Sequence, residues 1–314
     1  MEKKADYDLV IIGGGAAGLT AGIYASRARL NTVLIEKAAP GGQILLTDWI
    51  ENYPGFPEGL AGHALVQQMT EQAKKFGLQI ASGEVGSINY SEPVKKIHLG
   101  DKTITTYAII IATGASFRKL GIPGEDRFYG KGVSSCATCD APFYKDRVVV
   151  AVGGGDTAVQ ESLYLTKFAK KVYLVHRRDK LRATKILQER VLCNEKIEIL
   201  WNHVPTKVDG FFNVDKVGLK NVKTGEESTL PADGCFIWIG ITPNGSFLDN
   251  GIKVDESGFL LTDENMVTSV PGIFAAGDVR HTPLRQVATA VGDAAIAAIS
   301  AERYIESITE KDHC

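Results

Sequence analysis

Residues 8–18 read Asp8-Leu9-Val10-Ile11-Ile12-Gly13-Gly14-Gly15-Ala16-Ala17-Gly18, and residues 148–158 read Val148-Val149-Val150-Ala151-Val152-Gly153-Gly154-Gly155-Asp156-Thr157-Ala158. Each is a short apolar run that ends in Gly-x-Gly-x-x-Gly or its alanine variant. A helix-compatible segment follows, to Arg27 in the first copy and to Phe168 in the second. Thr32–Glu36 and Lys171–His176 then read as buried strands. Strand, glycine turn, helix, strand thus occurs twice, offset by 140 positions at both leading glycines (Gly13 to Gly153, Gly15 to Gly155). In such a turn the first glycine permits the sharp bend and the second lets backbone approach a pyrophosphate. The third lets the helix pack on the strand. The helix N-terminus then holds phosphate charge with its free N–H groups. One match alone is weak; two, each between a strand and a helix, are specific.

The second strand of each copy ends at the residue that meets the adenosine ribose. In the first copy this is Glu36, an acid that accepts ribose hydroxyls and repels a 2′-phosphate. The same offset in the second copy gives His176, followed by Arg177, Arg178 and, close behind, Arg182. Guanidinium groups grip phosphate in bidentate fashion. The first site therefore favours FAD or NAD and the second NADPH.

With 314 residues the chain is long for one core. The expected fold class is α/β: two Rossmann-like FAD/NAD(P)-binding domains, each a parallel sheet flanked by helices, with a small antiparallel sheet. Breakers at Gly121 and Pro123, and again at Gly240, Pro243, Asn244 and Gly245, mark two crossings. A late strand-like run, Gly272 to Asp278, and an Ala-rich helix from about Gln286 to Ile305 return to the first unit. The expected domains are 1–117 with 245–314, and 118–244 inserted between them. A net charge of −2 recommends no nucleic acid. No apolar stretch reaches the length of a membrane span. Lys3 and Lys4 precede an apolar run, but Asp6, Asp8 and the glycines break any resemblance to a targeting signal.

Five cysteines with one close pair read as a cytoplasmic protein whose pair is kept for chemistry. Cys136-Ala137-Thr138-Cys139 can close an easily reduced disulfide. Structural zinc needs four ligands, and Cys193, Cys235 and Cys314 are isolated, so no metal is expected. Cys193 and Cys235 read as buried apolar residues, and Cys314 as an exposed terminal thiol. Asp140 is a candidate acid/base for thiol proton transfer, or a helix N-cap, and the two roles are compatible.

Together these motifs resemble the low-molecular-weight thioredoxin reductases of bacterial and archaeal type, in the pyridine nucleotide-disulfide oxidoreductase family. The resemblance spans essentially the full chain. It is carried by Gly13 to Gly18, Gly41-Gly42-Gln43, Glu51 to Gly55, Ala112-Thr113-Gly114, Cys136 to Asp140, Gly153 to Ala158, His176 to Asp179, Gly277-Asp278 and Arg285-Gln286. It implies FAD contacts from Gly13, Gly15, Ala16, Gly18, Glu36, Lys37, Gly42, Gln43, Thr47, Asn52, Val85, Thr113 and Gly114. Gly277, Asp278, Arg285, Gln286, Val287 and Ala288 complete that set. It implies NADPH contacts from Gly153, Gly155, Asp156, Thr157, His176, Arg177, Arg178 and Arg182. It implies that Cys139 lies over the flavin, that Cys136 attacks the substrate disulfide, and that Asp140 protonates the nascent thiol. It further implies thioredoxin as partner, a homodimer, and a cytoplasmic location. Ala141-Pro142 departs from the glycine and bulky residue of many members, and Gln43 to Leu46 is more apolar than in some relatives.

The larger disulfide reductases carry their cysteines just after the first nucleotide helix, and here Lys37 to Asp48 contains none. The nicotinamide site and the redox pair both fall in 118–244. That domain is therefore expected to rotate, presenting each in turn to the flavin. The competing readings are a flavin-dependent reductase for a glutaredoxin-like or peroxidase-linked partner, one with a donor other than NADPH, and a non-catalytic nucleotide-binding module with a structural cysteine pair.

Overall fold

The computed structural model describes residues 5–47, 50, 52–90, 94–249 and 251–309. Lys3, Lys4, Asp48, Glu51 and Cys314, all singled out in the sequence, lie outside the described residues. The chain divides into two compact units, residues 1–116 with 242–314, and residues 117–241.

The chain begins with β1 (Tyr7–Ile12), α1 (Ala16–Arg27), β2 (Thr32–Glu36), α2 (Gly62–Lys75), β3 (Gln79–Ser82), β4 (Ser87–Asn89), β5 (Lys95–Leu99) and β6 (Lys102–Ile111). Strand β7 (Ala115–Phe117) leads out. The second unit follows with α3 (Glu125–Phe128), β8 (Val133–Ser134), α4 (Ala137–Asp140), β9 (Val148–Gly153), α5 (Asp156–Leu165), β10 (Lys171–His176), α6 (Lys185–Leu192) and β11 (Ile197–Trp201). An antiparallel run, β12 (His203–Gly210), β13 (Val214–Asn221) and β14 (Glu227–Pro231), precedes β15 (Gly234–Trp238). Strand β16 (Ile241–Pro243) leads back, and β17 (Ile273–Ala275) and α7 (Val287–Thr309) complete the first unit.

In the first unit the sheet order is β3-β2-β1-β6-β5-β4, with β17 also on β6. The long strand β6 serves three partners. Its C-terminal half runs parallel to β1 and β17, and its N-terminal half pairs antiparallel with β5. Alternation along β1 splits the core: Leu9 and Ile11 face α1, α2 and α7, while Val10 and Ile12 face the other side with Val33, Ile35 and Ile109. The second unit carries the parallel order β11-β10-β9-β15-β8 and the three-stranded antiparallel sheet β12-β13-β14. Val149 and Ala151 face Ala158, Val159 and Leu165 of α5, and Val150 and Val152 face Val208, Val217 and Leu219 of the antiparallel layer. Both units are therefore α/β with a glycine turn at the end of a central parallel strand, where strand order changes direction.

Three expectations are corrected. Helix α5 stops at Leu165, not Phe168, because Lys167 and Phe168 donate to the carbonyls of Tyr164 and Leu165 three residues back, tightening the last turn. Helix α7 runs on to Thr309, past Ile305, with the Thr309 hydroxyl donating to the Ile305 carbonyl. Cys193 caps the C-terminus of α6 and is exposed, whereas Cys235 is buried in β15. A lone cysteine at a helix end lacks the second layer that covers one in a central strand.

The glycine turns impose the tightest packing. Gly13 has φ +103°, and a Cβ there would lie 2.5 Å from the Ala112 carbonyl oxygen. A Cβ on Gly18 would overlap the Gly13 carbonyl oxygen itself, whereas one on Gly15 would meet nothing within 4 Å. Gly18→Ala should therefore cost about 1–3 kcal/mol, read as a lower urea midpoint of the ligand-free protein. Gly15→Ala, at φ −73°, should leave that midpoint unchanged or slightly raised.

Candidate functional site

In the first unit, α1 opens at Gly15 with no side chain capping its first amides. A Cβ on Gly15 would meet nothing within 4 Å, so the space beside the helix start is open. The Glu36 carboxylate spans the turn: Oε2 accepts the Gly14 N–H at 2.6 Å and Oε1 that of Ala38 at 3.0 Å. Each oxygen keeps a lone pair for a ribose hydroxyl. Lys37, Gly42 and Gln43 lie exposed beyond β2, and Thr47 is half-buried. Val85 is buried and lines a cavity of about 790 Å³ with Ile35, Ser82 and Gly83.

The far end of this site comes from the chain's last part. The Gly277 N–H donates to Asp293 of α7 at 3.2 Å, and Arg280 reaches the same carboxylate at 3.5 Å. That holds the turn carrying Asp278, whose burial pushes its pKa up to about 6; Arg285 opposes the rise and Asp293 adds to it. Arg285 stacks its guanidinium 4.3 Å over the Phe259 ring, and its Nε is buried without a hydrogen-bond partner. An orphaned buried donor of this kind calls for an acceptor supplied by a ligand. Asn52 donates to the Gln286 side chain at 2.9 Å, so two expected contacts 234 positions apart meet. Val287 and Ala288 open α7 beside them. Thr113 and Gly114 are clamped by Asn244, which accepts the Thr113 hydroxyl, donates Nδ2 to the Thr113 carbonyl, and donates its own N–H to Gly114. Asn244 read in the sequence only as a turn residue. Open space at Gly15, an uncapped helix, an acid at the ribose position and the orphaned Arg285 together fit FAD.

The second unit repeats the device. Gly153 has φ +155°, and a Cβ there would lie 2.5 Å from the Trp238 carbonyl oxygen. Gly155 caps α5, and a Cβ on it would meet nothing within 4 Å. Asp156 accepts the Thr184 N–H at 2.6 Å, tying α5 to the following loop, and Thr157 is exposed beside it. Arg177, Arg178 and Arg182 are all exposed. His176 differs from its expected part in a phosphate cluster. Its ring is buried, with Nδ1 2.8 Å from the Gly153 carbonyl and Nε2 3.0 Å from that of Lys180. Burial pushes its pKa down, and Arg182 and Arg178 add to that. Both ring nitrogens are engaged with backbone, so His176 braces the turn and the arginines alone offer charge outward.

Cys136 and Cys139 form a disulfide with their Cα atoms 5.4 Å apart. Cys136 is the N-cap of α4; its Sγ accepts the Cys139 N–H at 3.2 Å and lies 3.3 Å from the Thr138 hydroxyl. Ser134 accepts the Cys136 N–H, Trp238 donates to the Ser135 carbonyl, and Glu161 of α5 accepts the Ala137 N–H at 3.2 Å. Asp140 closes α4 and stands at the N-cap position of the 3₁₀ turn Ala141–Tyr144, without a side-chain cap bond. Glu161 escaped sequence reading because only the packing of α4 on α5 brings it to the pair. Among the described residues no group of three or more His, Cys, Asp or Glu could hold a metal ion. Among them, too, no helix is long and apolar enough to cross a membrane.

A buried carboxylate with a raised pKa binds its proton more tightly in the folded state. The contribution of Asp278 to stability is therefore fullest below about pH 4 and falls as pH rises toward 6. Asp278→Asn removes this titration. The flavin-free variant should gain on the native chain as pH rises from 4 to 7, by up to ~3 kcal/mol. Urea titrations giving a pH-independent difference would contradict the assignment.

The pyridine nucleotide-disulphide oxidoreductase profile matches residues 7–294. The thioredoxin reductase of Listeria innocua is 48% identical over 97% of this chain and 95% of its own. That of Bacillus subtilis is 47% identical over 99% and 98%. Among solved structures, thioredoxin reductase from Streptococcus pyogenes superposes with a TM-score of 0.92 at 45% identity, covering 96% of this chain and 98% of that one. Lactococcus lactis thioredoxin reductase in its FR conformation gives 0.66 at 46% identity, over 96% and 100%. The chain belongs to the pyridine nucleotide-disulphide oxidoreductase family, among its low-molecular-weight thioredoxin reductases.

Proposed function

We propose that the chain reduces the disulfide of thioredoxin with electrons from NADPH, through FAD and the Cys136–Cys139 pair. The observation that carries this reading is the disulfide at the start of α4, in the same unit as a glycine turn flanked by three exposed arginines. The first unit, with Glu36, Asp278 and Arg285, is the FAD-binding domain. The second, with Gly155 and Arg177, Arg178 and Arg182, is the NADPH-binding domain.

FAD, when bound, relays the electron pair from NADPH to the Cys136–Cys139 disulfide. Cys136 is the attacking thiolate: the Cys139 amide and the Thr138 hydroxyl both face its sulfur and stabilise charge there. It attacks one sulfur of the partner's disulfide, forms a mixed disulfide and releases a partner thiolate. Cys139 then attacks Cys136, re-forms their disulfide and releases the second partner thiolate. Asp140, next to Cys139, manages the proton. Nicotinamide and redox pair ride on one unit and need the same flavin, so the second unit reorients in each cycle. The working form is a cytoplasmic homodimer, as the family resemblance implies.

Replacing Arg177 and Arg178 with Ala should raise KM for NADPH at least about tenfold while leaving that for NADH within twofold, since only NADPH bears the 2′-phosphate. Equal effects would remove the phosphate assignment. Cys136→Ser should still let NADPH bleach the flavin absorbance while thioredoxin reduction falls to background. If a glutaredoxin-like protein is reduced faster than thioredoxin by the unaltered enzyme, the partner assignment changes.

A further inference from the structure

Several side chains brace the redox segment, three of them by bonds to its backbone among the described residues. Ser134 accepts the Cys136 N–H at 3.0 Å, and Trp238 donates to the Ser135 carbonyl at 3.0 Å. Both are neutral. The third is a carboxylate: Glu161, half-buried on α5, takes the Ala137 N–H at 3.2 Å. Burial raises its pKa and the Ala137 N–H works against that rise.

A cysteine at the start of a helix ordinarily has its thiolate stabilised by the first amides, which makes the dithiol form favourable and the pair oxidising. Here the first amide is already engaged by an acid. The reduced Cys136 sulfur keeps the Cys139 amide, while the Glu161 carboxylate, bonded to the amide of the adjacent Ala137, sets a negative charge close by that disfavours the thiolate. The disulfide carries no charge and feels little of this. The balance moves toward disulfide, so the pair gives up electrons more readily.

We infer that Glu161 is a positioning residue that keeps the Cys136–Cys139 couple strongly reducing, by holding the Ala137 amide and setting a carboxylate beside the redox helix. Other titratable groups near the segment include Asp140 on α4, and Tyr129 and Tyr144. Burial raises both tyrosine pKa values, with Asp140 adding, so the two rings stay neutral at pH 7. This inference rests on the redox reading of the pair, yet needs no assumption about the partner.

The test uses the flavin-loaded enzyme equilibrated with mixtures of oxidised and reduced dithiothreitol at pH 7. Each reduction breaks the Cys136–Cys139 bond and closes one dithiothreitol ring, so two electrons pass. After acid quenching and alkylation, mass analysis of the peptide carrying 136–139 reads the dithiol fraction. Glu161→Gln, which keeps an acceptor for the Ala137 amide and removes the charge, should shift the equilibrium roughly three- to tenfold toward dithiol. The alkylation rate of Cys136 at pH 7 should rise by a similar factor. Glu161→Asp, which keeps the charge, should stay within about twofold of the unaltered enzyme. An equilibrium unchanged in Glu161→Gln, or shifted equally in both variants, would overturn the inference. Failure of the thioredoxin reading would appear separately, as an unaltered enzyme that does not reduce thioredoxin while this equilibrium remains measurable.

Discussion

The first amides of a helix have no carbonyl to meet within it, and the two proposed nucleotide sites depend on leaving those of α1 and α5 without a side-chain cap. Gly15 and Gly155 cap the helices without a side chain, and both look onto open space. The neighbouring glycines let strand and helix come close enough for the opening to point past the sheet edge. The last residue of the second strand braces each turn, by opposite means. Glu36 accepts the Gly14 amide, while His176 faces the Gly153 carbonyl. One position thus shapes each turn, with an acid in the first and an imidazole in the second, where Arg177, Arg178 and Arg182 carry the exposed charge.

The redox pair uses a third helix opening, at α4, on a smaller scale. A helix of four residues contributes little dipole of its own. Individual hydrogen bonds therefore decide what happens at Cys136. The Cys139 amide favours charge on its sulfur, and Glu161 removes the Ala137 amide from the same duty. A nucleophile that is too stabilised would hold its electrons, so restraint at this opening suits a donor.

The parallel strands and their turns were legible because their signals are local. Thr32–Glu36 and Lys171–His176 are short apolar runs bounded by polar residues, and the structure places strands on both. Side-chain direction was less accessible. His176 heads a basic cluster in the sequence, but a strand residue points to one face only, and its ring turns inward under the glycine turn. Cys193 follows an apolar pair in sequence, yet at the C-cap of α6 it is exposed. The clamp of Asn244 on Thr113, the support of Arg285 by Phe259 and the reach of Glu161 to Ala137 all join distant segments. Period and composition carry no record of such pairings.

The insertion also has a consequence for how the molecule comes into being. Residues 117–241 are continuous, so a ribosome delivers every strand of the second unit before the first unit is finished. Strand β17 adds to β6, and α7 packs against α1, only after the whole insertion has emerged. Asp278, Arg285 and Gln286 arrive with them. Domains fold as units during synthesis, so the unit that starts first closes last. Until then its half-built sheet keeps the β17 side of β6 open while its neighbour is already complete. On the proposed placement of FAD, the cofactor's site is thus completed only by the last part of the chain to be made, after the inserted unit has emerged in full.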